Sequence, residues 1–157
     1  MFHYEIDCNR KVLEMLESVP VEQRKDPLFQ RAIAIVDHVV VSRDNWLKWE
    51  FNEGKDMDPW YDPNASLEAL KNKTSVMHEK WLQYLEDLDE AGLIRSIIVG
   101  LRNDEPAEWD AKGQILQFVG HAHYHRGQVA LIVDMLGGKV LDTDYLFYAH
   151  EVGKQIK

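Results

Sequence analysis

Residues 110–136 read DAKGQILQFVGHAHYHRGQVALIVDML. Ile115, Phe118, Val119, Ala122, Val129, Ile132 and Leu136 recur at the three-, four- and seven-residue intervals of one helix face. The pattern predicts a helix from Asp110 or Ala111 to Leu136, stopped by Gly137-Gly138. His121 and His125 stand four apart inside it, which places both imidazoles on one face, a turn apart. That face borders the apolar one, with Phe118, Gln128 and Ile132. His123 lies two positions from each and is expected on the surface. Gly120 and Gly127 each cost the helix roughly 1 kcal/mol relative to alanine, and close approach of a neighbouring helix is the expected compensation.

Working outward, a second long helix begins at Asp26-Pro27, with Asp26 as cap and Pro27 at the first helical position. Leu28, Ala32, Ile35, Val39, Trp46 and Trp49 form its apolar side, and the helix fades by Glu53-Gly54. His38 falls among Ala34, Ile35, Val41 and Ser42, a setting that points it inward. One such histidine reads as a core residue satisfied by a hydrogen bond. Three converging histidines, His38, His121 and His125, read better as ligands of one divalent metal ion.

Two further helices complete the pattern. The first runs from about Tyr4 to Ser18, with Ile6, Val12, Leu13 and Leu16 as its apolar side, and ends before Pro20. The third runs from Asn64–Ser66 to about Glu90 with Leu67, Leu70, Thr74, Met77, Trp81, Tyr84 and Leu88 on one side, and Gly92 as its C-terminal cap. The β-branched stretch after Leu93, with Asn103-Asp104-Glu105-Pro106 as turn, predicts a short β-hairpin before Trp109. A short last helix is expected from Asp142 to about Val152, capped by Asp142 or Thr143. The fold class is all-α: an antiparallel four-helix bundle in one domain, residues 1–157.

Composition narrows the function. The chain has 157 residues, a net charge of −9 and one cysteine, Cys8. No disulfide can form within it, which suits a cytoplasmic location. No apolar run reaches the roughly 18 residues of a membrane span, so no membrane partner is expected. Acidity without a basic cluster argues against nucleic acid. Arg31, Arg43, Arg95, Arg102 and Arg126 read as surface charges, and Cys8 as a packing residue. Trp46, Trp49, Trp60 and Tyr61 read as core and loop anchors, with a pocket wall or dimer surface as the alternative. The zinc-protease pattern is absent, because Ala122 follows His121 where a glutamate base is required.

The run His121-Ala-His-Tyr-His125-Arg-Gly-Gln128, with Gly137-Gly138 and Asp142-Thr-Asp144-Tyr-Leu-Phe-Tyr148 after it, resembles the signature of the DinB-like superfamily, the damage-inducible, YfiT-like group of metal-binding bundles. Glu108-Trp109, Gln114-Ile-Leu-Gln117, Asp37-His38-Val and Arg43-Asp44-Asn45-Trp46 fit the same pattern. Gly120 and Tyr124 depart from it, standing where the family often has asparagine and a further histidine. The resemblance implies one metal, zinc or nickel, held by His38, His121 and His125. Ser42, Gln117 and Gln128, about a turn away, are candidates to support these ligands. It also implies a homodimer and a transferase that joins a low-molecular-weight thiol to an electrophile. A metal-dependent hydrolase and a non-catalytic metal-binding or dimerising scaffold are the alternatives. Three protein ligands leave an open coordination position, the catalytic rather than the structural pattern.

Overall fold

The computed structural model describes residues 1–51, 57–100 and 106–155. The chain is mostly helical: α1 (Phe2–Ser18), α2 (Pro27–Glu50), α3 (Leu67–Asp87), the one-turn α4 (Glu90–Leu93), α5 (Ala111–Met135) and α6 (Tyr145–Gln155). Between α4 and α5 lies a two-stranded antiparallel sheet, β1 (Ser96–Gly100) and β2 (Pro106–Asp110), in which Ile98 faces Glu108. The turn residues Asn103, Asp104 and Glu105 lie outside the described residues.

Local chemistry sets the ends of these elements. The carboxylates of Asp26 and Asp110 accept from the amides of Leu28 (2.8 Å) and Gly113 (2.6 Å), capping α2 and α5. α5 stops in a Schellman turn: Gly138 N donates to Val133 O and Gly137 N to Asp134 O, with Gly137 at φ 73°. Two sequence expectations need correction. α3 ends at Asp87 rather than Glu90, because Leu88 turns extended and Asp89 caps a new turn through Gly92 N (2.7 Å). Gly92 therefore lies inside α4. α6 starts at Tyr145 rather than Asp142, since Asp144 caps it and Asp142 holds the preceding turn through Asp144 N.

One core draws on all four long helices: Met15 and Leu16 of α1, Ile33 and Val40 of α2, Met77 and Trp81 of α3, Phe118 and Val133 of α5. On α1 the buried stripe is Tyr4, Cys8, Val12, Met15 and Leu16, with Ile6 only half-buried. Trp81 is fully buried and meets the Phe118 ring edge-on at 4.3 Å. Truncating such a residue to alanine costs about 3–5 kcal/mol. The hairpin adds a satellite cluster, with Ile97 and Ala111 buried against Trp46, Trp49 and Trp109. Gly120 and Gly127 meet no neighbouring helix: a Cβ on either would touch nothing within 4 Å. The expected close approach is absent because both glycines sit on the outer face of α5. No described helix is long and apolar enough to cross a membrane.

Candidate metal centre

α2 holds the segment that returns from its C-terminus along one side. Asn45, fully buried, clamps Asp58 in both directions: its amide donates to Asp58 O (3.1 Å) and its carbonyl accepts from Asp58 N (3.0 Å). Asp37, also fully buried, accepts from Asp62 N (2.6 Å) and from Lys73 Nζ of α3 (2.8 Å). Gln30 donates to Pro63 O and Ala65 O. These three residues recur at two-turn spacing and pin the segment against the helix. Trp60 is thereby held with its carbonyl 2.9 Å from His38 Nδ1.

His38 Nδ1–H donates to that carbonyl, which turns the Nε2 lone pair inward. His125 Nδ1–H donates to Gln128 Oε1 at 2.9 Å, with the same effect. The Nε2 of His121 lies 3.1 Å from that of His38 and 3.2 Å from that of His125. One nitrogen from each of the three rings falls within 4.8 Å of the others. Nitrogens bound tetrahedrally to zinc at about 2.0–2.1 Å lie about 3.4 Å apart. The spacing and donor set therefore fit a divalent cation of this kind.

The electrostatics favour the same state. Burial, then the neighbouring His125 and His38, push the His121 pKa down to about 4. Burial also lowers that of His125, against the support of its Gln128 hydrogen bond. Both rings are neutral near pH 7, as metal ligation requires. No carboxylate belongs to this cluster among the described residues, so a bound cation would keep its full charge.

The other candidates divide. Gln128 touches His125 as described. Ser42 is buried but donates within its own helix, to Val39 O (2.9 Å). Gln117 is exposed on the outer side of α5. His123 is exposed and Cys8 is buried. Trp46 packs among aromatics, while Trp60 and Tyr61 are about half exposed. Arg31 and Arg95 are exposed, and Arg102 lies outside the described residues.

Arg43 and Arg126 are not surface charges: they are 1% and 5% exposed and share Glu5 Oε2, at 2.5 and 2.9 Å. Glu5 on α1 supplies the counter-charge that lets α2 and α5 bury their arginines. Sequence reasoning missed this acid and the Trp60 carbonyl. A buried-stripe position on α1 could have flagged Glu5, but a backbone carbonyl has no sequence signal.

No curated protein and no solved structure gives a match. The model of the DinB family matches residues 1–155. Since that match spans nearly the whole chain, the protein belongs to the DinB family.

Proposed function

We propose that His38, His121 and His125 bind one divalent ion, zinc or nickel, and that the site transfers a low-molecular-weight thiol to an electrophilic small molecule. The observation that carries the metal reading is the convergence of three Nε2 atoms, two of them oriented by bonds on Nδ1. A bound cation would supply Lewis acidity, lowering the pKa of a thiol or of water. The chain's own part is to hold the Nδ1 protons of His38 and His125 on the Trp60 and Gln128 oxygens. In the transfer, sulfur bonds to the electrophilic carbon while the thiol proton and the leaving group depart.

The test is elemental analysis of untagged protein, wild type and His121→Ala, followed by a screen of thiols against electrophiles. One equivalent of metal in the wild type and none in the variant is expected, with metal-dependent consumption of both reactants. No metal after reconstitution overturns the reading. Turnover without thiol would make the protein a hydrolase, and no turnover with metal bound a scaffold.

The exposed side of α5 supports a second copy of this chain as partner. Leu116, Tyr124, Leu131 and Met135 are 62–74% exposed along one stripe, with Gly120 and Gly127 between them. From Leu116 to Met135 the only Asp, Glu, Lys or Arg residues are the buried Arg126 and the exposed Asp134 near one end, so most of this face escapes the repulsion of two chains each carrying −9. Antiparallel pairing about a twofold axis sets Leu116 against the partner's Met135, Leu131 against the partner's Gly120 and Tyr124 against the partner's Gly127. Each large side chain meets a glycine gap or another large one, as a self-complementary interface needs. The double variant Gly120→Cys/Leu131→Cys should oxidise to a covalent dimer, because the two positions are too far apart on one helix to bond each other. A monomeric mass by light scattering, with no cross-link, counts against the dimer.

A further inference from the structure

A cavity opens at the end of the helical core where α1 begins. Its volume is about 240 Å³, and all four long helices line it. Phe2, Trp81, Leu85, Ile115, Phe118 and Val119 make apolar walls. Met1 lies at its edge, and Glu5 and Arg43 are its charged side chains, only 2% and 1% exposed. None of the three histidines borders it.

These two charged residues pair through Glu5 Oε2 and Arg43 Nη2, yet each keeps an unused atom. Glu5 Oε1 and Arg43 Nη1 are buried and have no hydrogen-bond partner among the described residues. A buried acceptor or donor left bare is costly, and native proteins rarely leave one without a water or a ligand. Here a bare acceptor and a bare donor belong to adjacent side chains in the wall of an apolar cavity. Arg126, the second cation on Glu5, does not line the cavity and also points toward the Tyr4 hydroxyl. Among side chains, the wall thus carries one cation and one anion, so a ligand there meets both signs.

We propose that this cavity is a binding site for a small uncharged molecule with an apolar ring or branched chain and one hydroxyl head. The hydroxyl would donate to Glu5 Oε1 and accept from Arg43 Nη1, satisfying both. A carboxylate head would set its charge against the bare Glu5 oxygen, and a plain hydrocarbon would leave both atoms unpaired. Size agrees: a 150 Å³ apolar cavity holds benzene, so the larger space admits a substituted ring. Apolar walls with a few convergent polar groups are the usual form of a small-molecule site.

Phenol and toluene, nearly equal in shape, separate this proposal from an ordinary greasy void. Binding is followed by two-dimensional NMR titration of the full chain. Phenol should bind saturably, at least tenfold tighter than toluene and than benzoate. A dry apolar cavity gives the reverse order, because phenol loses its hydrogen bonds to water on entry. Val119→Trp and, separately, Ile115→Phe should fill the space and weaken phenol binding at least tenfold while helical circular dichroism and metal content stay unchanged. His121→Ala should bind phenol as the wild type does, so failure of the metal reading leaves this result intact. No saturable phenol binding, toluene binding as tightly as phenol, phenol binding unchanged in a folded filling variant, or its loss in His121→Ala would overturn the proposal.

Discussion

Two buried polar clusters lie side by side in this protein and obey opposite rules. The histidine cluster holds half-buried imidazoles whose ring nitrogens converge with no carboxylate among them. The Glu5–Arg43–Arg126 cluster holds permanent charges, nearly sealed from water, in which one carboxylate directly contacts two guanidinium groups. The first offers its nitrogens to an outside cation; the second is held by contacts within itself, although Glu5 Oε1, Arg43 Nη1 and Arg126 Nε keep no partner among the described residues. They also touch electrically, since the Arg43 charge helps to keep His121 deprotonated. A site for a cation needs donors without counter-charge, whereas a structural cluster needs counter-charge before all else.

The sharpest way to break this contrast is Glu5→Ala. It leaves two guanidinium groups buried without an anion, and the expected loss is about 3–5 kcal/mol. Urea unfolding measures it, and a loss below 1 kcal/mol would mean that the arginines reach water by other routes. Gln128→Ala tests the histidine cluster without removing a ligand. Freed from its Nδ1 partner, His125 should lose orientation and metal affinity should fall about 10–100-fold, as read by competition with a chelator. Unchanged affinity would show that the helix alone orients the ring.

The smallest effect concerns His78 on α3, which lies between the two clusters in character. Its Nε2 accepts from Asn9 Nδ2 at 2.9 Å, and burial, then Arg43, push its pKa down to about 4. Because the folded value lies below the ordinary 6.5, the unfolded chain binds the proton first. Stability from this residue is therefore complete above about pH 6.5 and is lost as pH falls toward about 4. Partial exposure screens it, so about 1 kcal/mol is expected. Metal-free wild type and His78→Gln, unfolded in urea across that range, should differ in slope. Parallel curves would assign the acid sensitivity to His121 and His125.

By itself the sequence determined the four long helices, the cap at Asp26, the stop at Gly137-Gly138 and the hairpin, because these follow from periodicity and local hydrogen bonding. It also singled out His38, His121 and His125, since two share a helix face and the third sits at an inward position. Only the tertiary structure decided what holds them. The Trp60 carbonyl reaches His38 through a segment pinned by Gln30, Asp37 and Asn45, and backbone atoms carry no residue signature. Likewise, whether Arg43 and Arg126 lie in water or in the core depends on Glu5, 38 and 121 residues away in sequence. Gly120 and Gly127 make the same point in reverse: their cost inside a helix suggested a close helix contact, and the packing of α5 turned them outward. Local rules fix elements, but the partner of a charge or a ring is chosen by which helix faces meet.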